Sequence, residues 1–185
     1  MKPTEELAHE HKVITHVLNV VAVEAERLKN AGKIDSALIE KMLDFFRNFT
    51  DKCHHAKEEK HLFPMLERRG VPRDKGPVGV MLAEHNEGRR LLSNISELLP
   101  AATNGDSDAV MSIAVDLAAY VTLLEKHIQK ENEVLFQMAD RVLTAEDQNH
   151  LEAAFARVEK EETGEGIHEK YHALAHEISD SLSRR

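Results

Sequence analysis

His54-His55-Ala56-Lys57-Glu58-Glu59-Lys60-His61-Leu62-Phe63-Pro64-Met65 is the stretch on which the reading of the fold turns. Taken as helix, it sets His54 and Glu58 one turn apart on the same face, so an imidazole and a carboxylate converge on one point. Seventy-three residues later, His127-Ile128-Gln129-Lys130-Glu131-Asn132-Glu133-Val134-Leu135-Phe136-Gln137-Met138 repeats the His-x-x-x-Glu pair, with Leu-Phe at the same offset behind it. Upstream of the two stretches lie Glu10-His11 and Glu84-His85, 74 residues apart. A duplicated helical hairpin folded with approximate twofold symmetry would bring donors from four helices to one centre. The register also chooses between neighbours: His9 aligns with Ala83, which leaves His11 as the better donor on the first helix.

Apolar residues at helical spacing (Leu7, Val13, Val17, Leu18, Val21, Leu28) predict a first helix over 4–30, stopped by Asn30-Ala31-Gly32. Asp35 or Ser36 caps a second helix, which runs through Leu38, Met42, Phe45, Phe46 and Phe49 into the opening stretch and ends near Arg69-Gly70. Pro64 is expected to kink it or break its last turn. A third helix is predicted over 78–99, stopping at Pro100. The fourth, over 107–143, carries Ile113, Leu117, Tyr120, Leu124, Ile128, Leu135 and Met138 on one side. Thr144-Ala145-Glu146-Asp147 reads as a capping box opening a fifth helix, and Thr163-Gly164-Glu165-Gly166 separates it from a last short one over 167–182. The expected fold is all-α: an up-down-up-down four-helix bundle over 1–143, with an additional C-terminal helical segment over 144–185 packing on the bundle.

Composition agrees with this and narrows the partners. Hydrophobic content of 42% with 8 Gly and 5 Pro favours a helical chain over a β-rich or disordered one. Acidic residues outnumber basic ones by 33 to 24, for a net charge of −9, which argues against a nucleic-acid partner. No stretch approaches the roughly 18 apolar residues that would span a bilayer. The N-terminal Met-Lys-Pro-Thr-Glu-Glu lacks an apolar signal core, so the expected address is cytoplasmic, without membrane contact. The single cysteine, Cys53, forms no internal disulfide and reads as a small packing residue on its helix.

Histidine is the abundant residue, twelve in 185, and four fall in the repeat. His11, His54, His85 and His127, with Glu58 and Glu131 as bridging carboxylates, could hold two metal ions. Mixed imidazole and carboxylate coordination favours iron, with manganese or zinc as alternatives. The competing reading is that His- and Glu-rich amphipathic helices merely wet their outer faces; two pairs in register, with two matching Glu-His dipeptides, weigh against it. No catalytic residue is assigned. Glu58-x-x-His61 has the ferritin spacing, but its repeat partner is Glu131-x-x-Val134, so the second copy is missing. His168-Glu169-Lys170-Tyr171-His172 matches the zinc-protease signature, yet no cleft-forming sheet is predicted. His168, His172 and His176 read more simply as a stripe on the tail helix, packing over the bundle mouth or holding a surface metal. His16, His55, His61 and His150 read as solvated or packing residues, with His61 the best placed to stand behind the ligands.

His11, His54-x-x-x-Glu58-Glu59 followed by Leu62-Phe63-Pro64, then Glu84-His85 and His127-x-x-x-Glu131 resemble the hemerythrin-like (HHE cation-binding) family over about residues 7–140. The resemblance implies a four-helix bundle around a carboxylate-bridged di-iron centre with Glu58 and Glu131 as bridges. It implies a small ligand such as dioxygen, peroxide or nitric oxide, for oxygen or iron binding or sensing, with a protein partner where a signal is passed on. A di-iron enzyme reducing peroxide, oxygen or nitric oxide, and a structural bundle holding zinc, stay open beside it. The chain departs from the oxygen carriers: where they place a second histidine one turn after the third-helix ligand it has Arg89, and its last carboxylate comes as His-x-x-x-Glu rather than His-x-x-x-x-Asp. One metal then lacks a nitrogen, to be replaced by water, by a neighbour such as Glu87, or by nothing.

Overall fold

The computed structural model describes residues 1–163 and 166–183, and the side chains of all of these except 161–163, 167, 168 and 181–183. Among the described residues the regular structure is helical throughout. In order come α1 (Pro3–Ala31), α2 (Ser36–Phe45), α3 (Phe63–Arg68), α4 (Pro77–Thr103), α5 (Ser107–Lys130), α6 (Phe136–Val142), α7 (Ala145–Arg157) and α8 (Ile167–Ser183). Between several of these the chain widens into π-helix, at Phe46–His55, Glu58–Leu62, Glu131–Leu135 and Val158–Thr163.

The ends follow from local chemistry. Gly32, at φ 63°, closes α1 by donating its N–H to the Leu28 carbonyl. Asp35 accepts the Leu38 N–H at the start of α2, and Asp106 accepts those of Asp108 and Ala109 at the start of α5. Thr144 and Asp147 form the reciprocal capping box read from the sequence.

At Pro64 the regular helix is interrupted: the turn before it is π-helical, Pro64 sits in the first turn of α3, and the wide turn relieves the clash its ring would make with the preceding carbonyls. One boundary differs from expectation. Pro100 does not stop α4, which continues to Thr103 because Leu99 and Ala102 are buried and hold the last turn in place. The chain leaves that helix at Gly105, φ 94°, whose N–H bonds back to Ala102 while that of Asp106 reaches Ala101.

α5 lies along both α1 and α4, α2 touches α4, and α8 rests on α1 and α2. Tyr171, Ala175 and Ile178 of α8 enter the larger of two apolar clusters, with Ile14 to Leu28 of α1, the phenylalanines 45, 46 and 49, and Leu91 to Leu99 of α4. A smaller cluster gathers Leu7, Leu62, Phe63, Leu66, Val78, Met81, Leu135, Phe136, Leu151 and Phe155. Each predicted donor falls between the two along its helix: His11 between Leu7 and Ile14, His54 between Phe49 and Leu62, His85 between Met81 and Leu91, and His127 between Leu124 and Leu135. The result is a polar layer between two dry ones.

Contrary to expectation, Ser107–Val142 is long enough to cross a membrane and holds an 18-residue window apolar enough to do so, with a mean hydropathy of 1.5. Its apolar side, Ile113, Leu117 and Leu124, lies in the larger cluster, and the same helix carries His127 and Glu131 into the polar layer.

Candidate metal centre

All six predicted donors converge, and none is more than 2% exposed. Nε2 of His11 and of His127 each lie 3.2 Å from Oε2 of Glu131. Nε2 of His54 and of His85 each lie 3.5 Å from an oxygen of Glu58. The donors form two groups, His11, His54, Glu58 and Glu131 in one, His55, Glu58, His85 and His127 in the other, with the atoms of each within 4.8 Å of one another. Glu58 belongs to both.

His55 was expected to be solvated or merely packing; the structure instead buries it to 6% exposure inside the second group. The reason is the helix type. In a regular helix consecutive residues diverge by about 100°, but the π-helical segment Phe46–His55 turns less per residue, so His54 and His55 both face inward. Glu87, considered as a replacement donor, is turned outward and paired with Arg90. His61 is half-buried and joins neither group. His9, His16 and His150 are exposed.

Every inward imidazole is held from behind by an acceptor at Nδ1. His54 donates to Glu10 at 2.7 Å, His85 to Glu59 at 2.7 Å, His127 to Glu84 at 2.9 Å, His11 to Asn132 at 2.9 Å and His55 to Asp51 at 3.4 Å. This fixes each ring with Nδ1–H outward and leaves Nε2 for the centre. Arg89 binds Asp51 and Glu59 together, at 2.8 and 2.7 Å, and so ties down the acceptors of His55 and His85. Behind Glu10 stands Lys57, fully buried and bonded to Glu6, Glu10 and Glu159 at 2.6 to 2.7 Å. Behind Glu84 stands Lys130.

The charges at the centre are strongly unequal. Burial, then the charge of Glu131, pushes the Glu58 carboxyl well above its ordinary range. Burial opposes charge on Glu131 too, but His127 and His11 hold it well below. His127 is raised to about 9, its burial outweighed by Glu131 and Glu84, whereas burial takes His54 down to about 4. Burial also lowers His55 and His85.

Nε2 of His11 and of His54 and all four oxygens of Glu58 and Glu131 are buried without a hydrogen-bond partner. An unsatisfied buried polar atom costs roughly 1–3 kcal/mol, so six at one point is an arrangement that calls for cations. The nitrogen and oxygen donors suit iron, manganese or zinc. A third cluster, Glu10, Cys53 and Glu159, surrounds the Lys57 ammonium and is an ion-pair site. Of the tail stripe, the His168 side chain lies outside the described residues; His172 meets Phe49 edge-on at 5.8 Å and His176 meets His16 at 6.0 Å, both away from the centre.

Comparison with known proteins gives a family model, the hemerythrin HHE cation binding domain, matching residues 2–139. An uncharacterized protein of Mycobacterium bovis is 27% identical over 161 residues, 87% of this chain and 62% of its own length, and one of Mycobacterium tuberculosis matches to the same extent. The iron-sulfur cluster repair protein YtfE of Yersinia pestis is 33% identical over 90 residues, 48% of this chain and 41% of its own length. The chain thus spans about three-fifths or less of the curated relatives it matches. No solved structure matches it.

Proposed function

Because the chain belongs to the hemerythrin HHE cation-binding domain family, we propose that it holds a carboxylate-bridged pair of iron ions and uses them to bind or sense a small ligand such as dioxygen or nitric oxide. On this reading α1, the run 36–68, α4 and Ser107–Val142 form an up-down-up-down bundle over 1–143, and 144–185 is an extension packed on it. His11 and His54 hold one ion, His85 and His127 the other, and Glu58 and Glu131 lie between. Such a pair supplies Lewis acidity and redox capacity at an open coordination position. The protein's part is to orient five rings through their Nδ1 acceptors, turn Nε2 toward the centre, and exclude bulk water with an apolar cluster on either side. The observation that carries the reading is the shared position of Glu58 in two donor groups whose buried atoms lack partners.

Metal binding and folding are coupled if this is right, since the unfolded chain has no such site. Freshly purified protein should contain about two irons per chain, the occupancy of a two-metal site, and should melt at a lower temperature after chelation. Protein that melts alike in both states rules the buried site out.

The likeness to iron-sulfur cluster repair proteins supports a second reading, in which the same centre handles iron or reduces nitric oxide or peroxide. Turnover of peroxide by iron-loaded protein, abolished in Glu58→Ala, would favour this enzymatic reading over a binding module. A zinc-filled structural bundle is the outcome if element analysis returns zinc.

A further inference from the structure

One position in the proposed centre has no counterpart in the duplication. Lys57, Glu58 and Glu59 are matched by Lys130, Glu131 and Asn132, and His54 by His127, but His55 is matched by Ile128. Both are buried, at 6% and 8% exposure. Where its repeat partner is simply apolar, a buried imidazole carries a desolvation cost that only a partner for its nitrogens offsets.

Three observations say what that partner is. The His55 side chain offers a nitrogen within 4.8 Å of donors from Glu58, His85 and His127. Its Nδ1 is directed outward to Asp51, in the manner of the four repeat histidines, although at 3.4 Å the contact is the longest of the five. Its ring stacks face to face on that of His85, centroids 3.7 Å apart and planes 16° apart, which sets it against a donor of the second group; because imidazole lone pairs lie in the ring plane, one ring turns out of the stack for both to meet a single ion. Meanwhile the position one turn beyond His85 is Arg89, a cation, whose guanidinium turns away to bind Asp51 and Glu59.

We propose that His55 is the third imidazole ligand of the ion held by Glu58, His85 and His127, taking from the second helical run the place that α4 leaves empty. This rests on the di-metal reading and deepens it. Two histidines adjacent in sequence then serve different ions: His54 joins His11, and His55 joins His85 and His127. The two ions are unlike as a result, one with three imidazoles backed by Asp51, Glu59 and Glu84, the other with two backed by Glu10 and Asn132.

The test uses the full chain loaded with iron or cobalt, comparing wild type, His55→Ala and His61→Ala, the last being the nearby helical histidine outside both groups. Chelator competition should show His55→Ala binding one ion normally and the other weakened by about tenfold or more, with His61→Ala unchanged. Exogenous imidazole should restore the second ion to His55→Gly. Should the variants fold poorly, cobalt-loaded wild type decides alone: five hyperfine-shifted exchangeable imidazole N–H protons, one for each inward histidine, support the proposal. Four such signals, or two ions bound with wild-type affinity by His55→Ala, overturn it and leave the di-metal reading standing. Wild type that takes up no pair of ions overturns both.

Discussion

The two halves of the duplication can be laid over each other donor by donor, and they match beyond the atoms that face the centre. Glu10 takes Nδ1 of His54 and binds Lys57; Glu84 takes Nδ1 of His127 and binds Lys130. Each half also reaches across to the other, since His11 is held by Asn132 and His85 by the matching Glu59. What differs is what lies outside. The first half is covered by the segment Val158–Thr163, whose Glu159 closes over Lys57, while Lys130 is left 40% exposed. The same three-residue device is therefore a buried ion cluster on one side and a solvated one on the other. The lesson is that the duplication fixes the imidazoles and carboxylates at the centre, and the unrepeated tail decides how rigidly each half is held.

The largest expected effect separates the two carboxylates. Glu58 belongs to both donor groups, whereas Glu131 joins only the first although its Oε2 lies 3.2 Å from Nε2 of both His11 and His127, so Glu58→Ala should empty the centre and erase the stabilisation that iron confers on melting. Glu131→Ala should retain more metal, measured by element analysis after gel filtration. Equal loss in both variants would show that the two carboxylates serve the centre alike.

Next comes the lysine pair. Lys57→Met strands Glu6, Glu10 and Glu159 around a buried position and should cost about 3 kcal/mol in urea unfolding. Lys130→Met, at a half-exposed site, should cost less than about 1 kcal/mol. A reversed order would show that the tail contributes nothing to the first half.

The acid limb of stability tests burial in that half. His54 sits near 4 in the folded chain against an ordinary 6.5, so the unfolded chain takes up its proton first as pH falls. Metal-free wild type should therefore lose stability relative to His54→Asn between pH 6.5 and 4, by on the order of 3 kcal/mol, with no further relative loss below. Urea midpoints at pH 7, 5.5 and 4.5 read this directly, and a flat difference contradicts it.

The smallest effect makes the halves alike. Asn132→Asp puts a carboxylate behind His11 and should tighten chelator-competed binding of the His11/His54 ion by up to about tenfold, leaving the other ion unchanged.

How much of this could be read beforehand follows from what repeats. Two in-register His-x-x-x-Glu pairs mark His54, Glu58, His127 and Glu131, and the aligned dipeptides Glu10-His11 and Glu84-His85 supply His11 and His85 together with the outer acceptors Glu10 and Glu84. Glu59, Asn132, Lys57 and Lys130 also lie in matched register and could have been found by the same comparison. His55 could not, because its counterpart is Ile128 and its inward aim depends on π-helical turns that a regular-helix reading does not contain. The end of α4 is hidden for a related reason: Pro100 breaks a helix by local propensity, but burial of Leu99 and Ala102 carries α4 past it. Nothing local in Glu159 announced that it would close over Lys57, since the contact spans 102 residues.

Anomalous diffraction from crystals of the iron-loaded chain tests the central claim most directly. Two iron peaks within about 4 Å of each other, as in two-metal sites, with Glu58 touching both, are the expected result. A single peak, or iron bound among His172, His176 and His16 with Glu58 touching none, would contradict it.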